Sequence, residues 1–173
     1  FKSKSWTSSG TPVIKIANVR NGRVDLEGCS FVPSALADET SAYRVSAGDL
    51  LVTLTGEIGA VGVYKEPGEA RLNQRVARID LKDPSAVDLE YIRCVLECPS
   101  IRSIMWAGAK GMAQPNISPS QVLDLNIPLP PINAQRALVE ELDLSLAQTA
   151  PVTQSLRVAI ATSRALRQSL LFT

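Results

Sequence analysis

The sequence predicts a mixed α/β fold of the α+β kind: a twisted, strand-rich body with short helices, followed by a long C-terminal α-helix. Three observations carry this. Residues 13–81 hold short β-branched or alternating apolar runs, separated by glycine and asparagine turns. From about residue 83 the apolar spacing changes to three- and four-residue steps, the period of a helix. Between these regimes and the C-terminus stands Ile127-Pro128-Leu129-Pro130-Pro131, a stop that neither a helix nor a central strand accommodates. Each proline there lacks an N–H and fixes φ. The expected organisation is a body over residues 1–131 and an arm over 132–173.

Taken in order, Val13-Ile14-Lys15-Ile16 alternates as a strand should, and Asn18-Val19-Arg20-Asn21-Gly22 contains an Asn-Gly turn signal. Arg23–Leu26 returns as a short strand, and residues 33–42 form a short helix or a loop. Tyr43-Arg44-Val45 and Leu50–Thr55 are extended on either side of the turn Ser46-Ala47-Gly48-Asp49. A glycine-punctuated turn, Gly56–Gly59, leads into the strand Ala60–Tyr64; Lys65–Ala70 is a loop, and about Gln74–Leu81 is a further strand. Asp83–Asp88 opens a helix with Leu89, Ile92, Val95 and Leu96 on one face, and Pro99-Ser100 starts another. Ala107–Ala113 is a loop, Ser118 caps a very short helix with Pro119 in its first turn, and 125–129 is extended.

The arm runs from about Asn133 to Leu171. Leu138, Leu142, Thr149, Val152, Leu156, Ala159, Ser163, Leu166 and Leu170 form one mostly apolar seam. Its helix-packing residues are Leu138, Leu142, Val152, Leu156, Leu166 and Leu170. At 1.5 Å per residue such a helix is roughly 57 Å long, more than its own body can cover. Pro151 removes one helical hydrogen bond, so a kink or two consecutive helices with Thr149 as a cap are expected there.

At 173 residues, 45% hydrophobic and 20% charged, the chain is an ordinary globular domain with an appendage. It has no apolar run of membrane-spanning length and no signal peptide at Phe1-Lys2-Ser3-Lys4-Ser5. Opening on Phe1 without an initiator Met points to a fragment. Three cysteines, an odd number, point to a reduced, cytoplasmic protein. The absence of histidine disfavours serine and cysteine triads, histidine-bearing zinc sites and the usual general acid/base.

The net charge of +1 is unevenly spread. Lys2, Lys4, Lys15, Arg20 and Arg23 occur in residues 1–24 with no acid, and Arg71, Arg75 and Arg78 cluster likewise. The pattern fits either solvated surface charges or one basic face for nucleic acid.

Several motifs follow one another along the chain: Gly10-Thr11-Pro12, Val45-Ser46-Ala47-Gly48-Asp49-Leu50-Leu51-Val52, Thr55-Gly56-Glu57-Ile58-Gly59, Leu72-Asn73-Gln74-Arg75-Val76-Ala77-Arg78-Ile79, and Ile127–Pro131 ahead of Gln135-Arg136. In this order they resemble the target recognition domain of Type I restriction-modification specificity subunits. The resemblance spans about Gly10 to Leu171. It implies a non-catalytic module whose mixed α/β body reads one half of a split site in double-stranded DNA. The long helix would pack with an equivalent helix and set the spacing between half-sites. It also implies a modification (methyltransferase) subunit, which would hold S-adenosylmethionine, and a restriction subunit, with no cofactor or metal in this chain. The chain departs from the family in carrying one recognition domain and one helix. It would be a half-length subunit that forms a homodimer, or a piece of a longer subunit whose second domain supplies the partner helix. Trp6-Thr7-Ser8-Ser9-Gly10 is a shortened form of the family's opening, and Pro151 interrupts a helix that is otherwise continuous in the family.

Because family members read different sequences, base-reading residues are expected outside the shared motifs. Arg and Lys suit guanine edges, and Asn and Gln suit adenine. The candidates are Lys15, Asn18, Arg20, Asn21 and Arg23, then Lys110, Gln114 and Asn116. Arg71, Asn73, Gln74 and Arg75 are expected on phosphates. Each asparagine has a plain alternative as a turn residue.

Rival readings are a metal-dependent nuclease built on Asp49, Asp80 and Lys82, or a protein-assembly module. Gly56-x-x-Gly59-x-x-Gly62 lacks the lysine-serine pair of a phosphate loop. Cys94 and Cys98, with Cys29, fit small buried hydrophobes better than a zinc site. No Asn-Pro-Pro-aromatic or Asp-Pro-Pro-aromatic tetrapeptide of an amino-methyltransferase is present.

Overall fold

A computed structural model describes residue 1, residues 5–111 and residues 114–171, with side chains for all of these except 152, 153, 156, 157 and 164–171. Among the described residues nine short strands form two sheets. They are β1 (Thr11–Ile14), β2 (Val19–Arg20), β3 (Gly22–Val24), β4 (Ser30–Val32), β5 (Arg44–Val45), β6 (Leu50–Thr53), β7 (Val61–Val63), β8 (Ala70–Leu72) and β9 (Val76–Ile79). One sheet has the order β4-β1-β8-β5 and the other β2-β3-β7-β6-β9. The helices are α1 (Ser34–Glu39), α2 (Leu89–Glu97), α3 (Pro99–Gly108), α4 (Pro119–Leu123) and α5 (Ile132–Leu171).

The pleat explains how the layers stack. Neighbouring residues of a strand face opposite sides. On β6 and β7, Leu50, Val52, Val61 and Val63 therefore pack against Tyr91, Ile92, Leu96, Ile101 and Met105 of α2 and α3. Leu51, Tyr64 and Val76 face the other way, onto Ile14, Val45 and Ala70 of the four-stranded sheet. That sheet's outer side buries Val13 and Val32 against Ala37 of α1. The order is helix, sheet, sheet, helices, and each fully buried Leu in the middle layers contributes roughly 1.5–3 kcal/mol.

Local chemistry sets most element ends. Asn21 and Gly22 have φ of 53° and 73°, the left-handed pair that closes the two-residue β2–β3 hairpin. Asp88 caps α2 by accepting from the Glu90 and Tyr91 N–H groups at 3.0 and 3.2 Å. Pro99 separates α2 from α3, its preceding residue Cys98 being extended. Ser118 and Gln121 form a reciprocal capping box on α4, and the Gln121 amide also donates to the Gly108 carbonyl at 2.6 Å.

Several expectations need correction. Helix formation begins at Leu89 and not at Asp83, because the Asp83 carboxylate accepts from the Ser85 N–H and holds 83–86 as a turn. The loop expected over Lys65–Ala70 holds through residue 69, but Ala70 opens a strand, β8, that was not expected. The strand expected over about Gln74–Leu81 is the shorter β9, after a turn at 73–75. Strand β4 lies in a stretch to which no element was assigned. Helix α3 continues to Gly108, into the expected loop. The C-terminal helix is a single element with Pro151 inside it, so the expectation of two consecutive helices is overturned.

A candidate nucleic-acid interface

Register brings the candidate residues to one end of the five-stranded sheet. The pairs Arg20↔Arg23, Gly22↔Gly62, Val52↔Val61 and Thr53↔Val76 place the end of β2, the starts of β3, β7 and β9, and the end of β6 together. The Asn21-Gly22 turn, the Gly56–Gly59 turn and Arg75 therefore share that end. Leu54 joins two more segments to it. Its N–H donates to the Arg75 carbonyl and its carbonyl accepts from the Ile117 N–H, both at 2.9 Å. Lys110 and Asn116 exchange two backbone hydrogen bonds of 2.9 Å, and Asn116 also bridges to Thr55. On the other flank the Asn73 N–H donates to the Ile14 carbonyl at 3.0 Å, next to Lys15.

Two concave patches result. One, of about 310 Å³, is lined by Lys15, Ile16, Ala17, Asn73, Gln74 and Arg75. The other, of about 410 Å³, is lined by Lys110, Asn116, Ser118, Ser120 and Gln121.

Paired cations occur at both ends, and at this one Arg20 lies on Asp25 and Arg102 lies 3.5 Å from Glu57; what marks this end is a group of three cations without a described carboxylate partner. Arg23, Arg75 and Lys110 are exposed, and none forms an ion pair with a described carboxylate. At the far end, Arg44 pairs with Glu69 at 3.1 Å, and Arg78 pairs with Asp80 at 2.8 Å and Asp49 at 3.7 Å. A free cation costs little to place on a phosphate, whereas a paired one must first lose its partner.

The candidates divide by what their side chains already do. Asn18 and Arg71 are each 3% exposed and are removed as DNA contacts. The Asn18 side-chain oxygen accepts from the Lys15 N–H at 3.0 Å, and its amide donates to the Asp25 carbonyl at 2.8 Å. Arg71 donates to the Ala37 and Ala70 carbonyls, both at 2.9 Å, fastening α1 to β8. A polar group spent on buried carbonyls has nothing left to offer a base. Lys15 is half-buried, with Nζ 2.5 Å from the Ser30 hydroxyl and 5.0 Å from the Trp6 ring centroid. Arg20 is held by Asp25 at 2.9 Å. The Glu27 N–H and Arg20 together keep the Asp25 carboxyl below its ordinary range. Asn21, Arg23, Gln74, Arg75, Lys110, Gln114 and Asn116 remain exposed, with Asn73 half-buried beside them.

A model of the Type I restriction modification DNA specificity domain matches residues 1–154. The chain belongs to that family. The EcoBI specificity subunit of Escherichia coli is 24% identical over 162 residues, covering 94% of this chain and 34% of that protein. The MjaVIII specificity subunit of Methanocaldococcus jannaschii is 28% identical over 147 residues, covering 82% and 34%. The chain thus spans about a third of the length of these curated relatives. Among solved structures, the HsdS subunit from Thermoanaerobacter tengcongensis shares the fold with a TM-score of 0.65 at 18% identity, over 90% of this chain and 35% of that one. A chain from a study of assembly and conformational transition in the type I R-M system gives 0.72 at 18% identity, over 98% and 40%.

The specificity domain meets its arm through a buried amide. Gln135 is fully buried; its side-chain oxygen accepts from the Asp88 N–H at 2.9 Å. Its amide donates to the Ala86 carbonyl at 2.9 Å and the Pro130 carbonyl at 2.7 Å. The Tyr91 hydroxyl donates to the Pro128 carbonyl at 2.9 Å, and Arg136 lies 3.4 Å from the Asp88 carboxylate. From Glu140 to residue 163 every described side chain on α5 is exposed. Leu138 and Leu142 of the expected seam are exposed, as are Leu144, Leu146, Val158 and Ile160. At 100° per residue Leu138, Leu142, Leu146 and Ile160 fall in a stripe about 80° wide, with Leu144 and Val158 on the opposite side of the helix. The side chains of Val152, Leu156, Leu166 and Leu170 lie outside the described residues.

The rival sites fare differently in this specificity domain. Asp49 and Asp80 both face the Arg78 guanidinium, which occupies the place a bridging metal would need. Cys98 is exposed and not a buried hydrophobe, while Cys29 and Cys94 are half-buried. Among the described residues no three His, Cys, Asp or Glu side chains are grouped to hold a metal ion. No described helix is long and apolar enough to cross a membrane.

Proposed function

We propose that this chain reads one half of a bipartite site in double-stranded DNA, as a non-catalytic specificity module working in the cytoplasm. The observation that carries this reading is the group of unpaired cations, Arg23, Arg75 and Lys110, gathered with Asn21, Gln74, Gln114 and Asn116 at one end of the sheet. Family membership supports it independently. Asn73, Gln74 and Arg75 would sit on phosphates and fix register, while Asn21, Arg23, Lys110, Gln114 and Asn116 would approach base edges.

Methyl transfer from S-adenosylmethionine and DNA cleavage would belong to separate modification and restriction subunits, which this module would direct to the site. The exposed stripe of Leu138, Leu142, Leu146 and Ile160 would pack on a second such helix, from another copy or from the rest of a longer subunit. Most helical stability in proteins comes from packing an apolar face, which favours a partner for this stripe.

Binding to a fluorescent random-sequence duplex across a salt series tests the reading. On a random duplex, which offers no cognate base edges, Arg23, Arg75 and Lys110 would each rest on a phosphate, so log affinity should fall linearly with log salt with a slope of about −3. No binding at low salt, or cleavage of the duplex with magnesium that Asp80→Ala abolishes, would overturn it.

A further inference from the structure

We infer that Gln135 is a positioning residue, a buried amide lock that sets the angle of the arm on the body and, through it, the spacing at which two half-sites are read. The inference rests on the DNA-reading function proposed above. One side chain ties three chain segments: the start of α2 through Asp88, the turn before it through Ala86, and the proline joint through Pro130. Both of its amide protons and one oxygen lone pair are met by backbone groups, which cannot swing away as side chains can.

The lock sits where leverage is greatest. The attachment occupies the first two turns of α5: half-buried Ile132, buried Gln135, Arg136 on Asp88, and half-buried Val139. Beyond Val139 the described side chains of the helix, up to residue 163, are exposed. Forty residues make the arm about 60 Å long. A rotation of about 10° at Gln135 moves its far end about 10 Å, roughly three base-pair steps of duplex. The prolines alone do not prevent such a rotation. Pro128, Pro130 and Pro131 fix φ and hold the residues before them extended, but ψ at Pro128 and Pro131 is not restricted in this way. The hydrogen bonds across the joint, from Gln135 to Pro130 and from Tyr91 to Pro128, close that freedom.

The test measures arm angle and DNA binding on the same proteins. Spin labels at cysteines replacing Ala47 on the body and Gln148 on the arm, with Cys29, Cys94 and Cys98 changed to serine and unlabelled chain in excess, report one intramolecular distance. The parent should give a narrow distribution. Gln135→Leu should broaden it at least twofold while leaving affinity for a random duplex within about twofold. Gln135→Glu keeps the shape of the side chain but sets a carboxylate against two carbonyls. Its distribution should be broad at neutral pH and narrow on acidification, when the protonated carboxyl again donates. That recovery is a readout a mere packing role would not produce, and it stands if Gln135→Leu fails to fold. A broad parent distribution, or Gln135→Glu matching the parent at every pH, would overturn the lock. Failure of the parent to bind duplex would instead sink the DNA reading, with the distances still deciding the lock.

Discussion

Gln135 and Asp88 meet through the backbone of one and the side chain of the other: the Gln135 oxygen takes the Asp88 N–H at 2.9 Å. The Asp88 carboxylate is thereby left for a separate task, accepting from the Glu90 and Tyr91 N–H groups at the start of α2. The two tasks separate by mutation. Asp88→Ala removes the cap and should cost about 1–2 kcal/mol in urea unfolding, while Asp88→Asn recovers most of it. Neither change touches the N–H that Gln135 uses, so the arm angle should persist in both. Loss of stability in Asp88→Asn as large as in Asp88→Ala would show that charge, through Arg136, matters more than the cap.

The contrast between the two ends of the five-stranded sheet gives a paired prediction. Arg75→Ala should weaken binding to all duplexes alike and reduce the salt slope by about one, the signature of one lost phosphate contact. Arg44→Ala, which removes a cation already paired with Glu69 at the far end, should change neither quantity. Equal losses from both substitutions would mean that net charge, and not this end of the sheet, drives association.

The arrangement of that end was only partly legible in the sequence. Asn21-Gly22 announced its hairpin because two successive left-handed residues demand that pair. Ser118 with Pro119 announced α4 in the same way, through the chemistry of helix caps. Strands β4 and β8 gave no such signal: each has three residues, and neither is flanked on both sides by the apolar residues that extend the equally short β7 into the visible run Ala60–Tyr64. Arg71 and Asn18 read as DNA contacts since residue type alone does not reveal burial. Only the tertiary placement of α1 and the 25–27 segment shows which carbonyls consume them. The convergence of Arg23, Arg75 and Lys110, far apart in the chain, depends on strand register, which no local pattern encodes.

Gly62 controls how close the β2–β3 hairpin lies to the rest of its sheet. It pairs with Gly22 in parallel register, and a Cβ placed on it would run into the backbone carbonyl of Arg23. Because the obstacle is backbone, no side-chain rotation relieves it. Gly62→Ala should cost about 1–3 kcal/mol, the usual range for overpacking, and displace the hairpin that carries Asn21 and Arg23. Chemical shifts of the Gly22–Val24 amides should move, and duplex affinity should fall with them. An alanine variant as stable as the parent would mean that β3 and β7 are less tightly paired than their register indicates.

Pro151 lies inside α5 with helix assigned on both sides. It has no N–H to give to the carbonyl four residues before it, and its ring crowds that same carbonyl. In an isolated helix this costs about 3 kcal/mol relative to alanine. Nothing on the body offsets the cost, because the described side chains around it are exposed. Pro151→Ala should therefore raise helical ellipticity and the melting temperature of the arm, with the body's unfolding unchanged. If the arm pairs with a second helix, the same substitution should also tighten that association, visible as a lower dissociation constant in sedimentation equilibrium. A variant with weaker association would show instead that a bend at Pro151 is part of how two arms fit together.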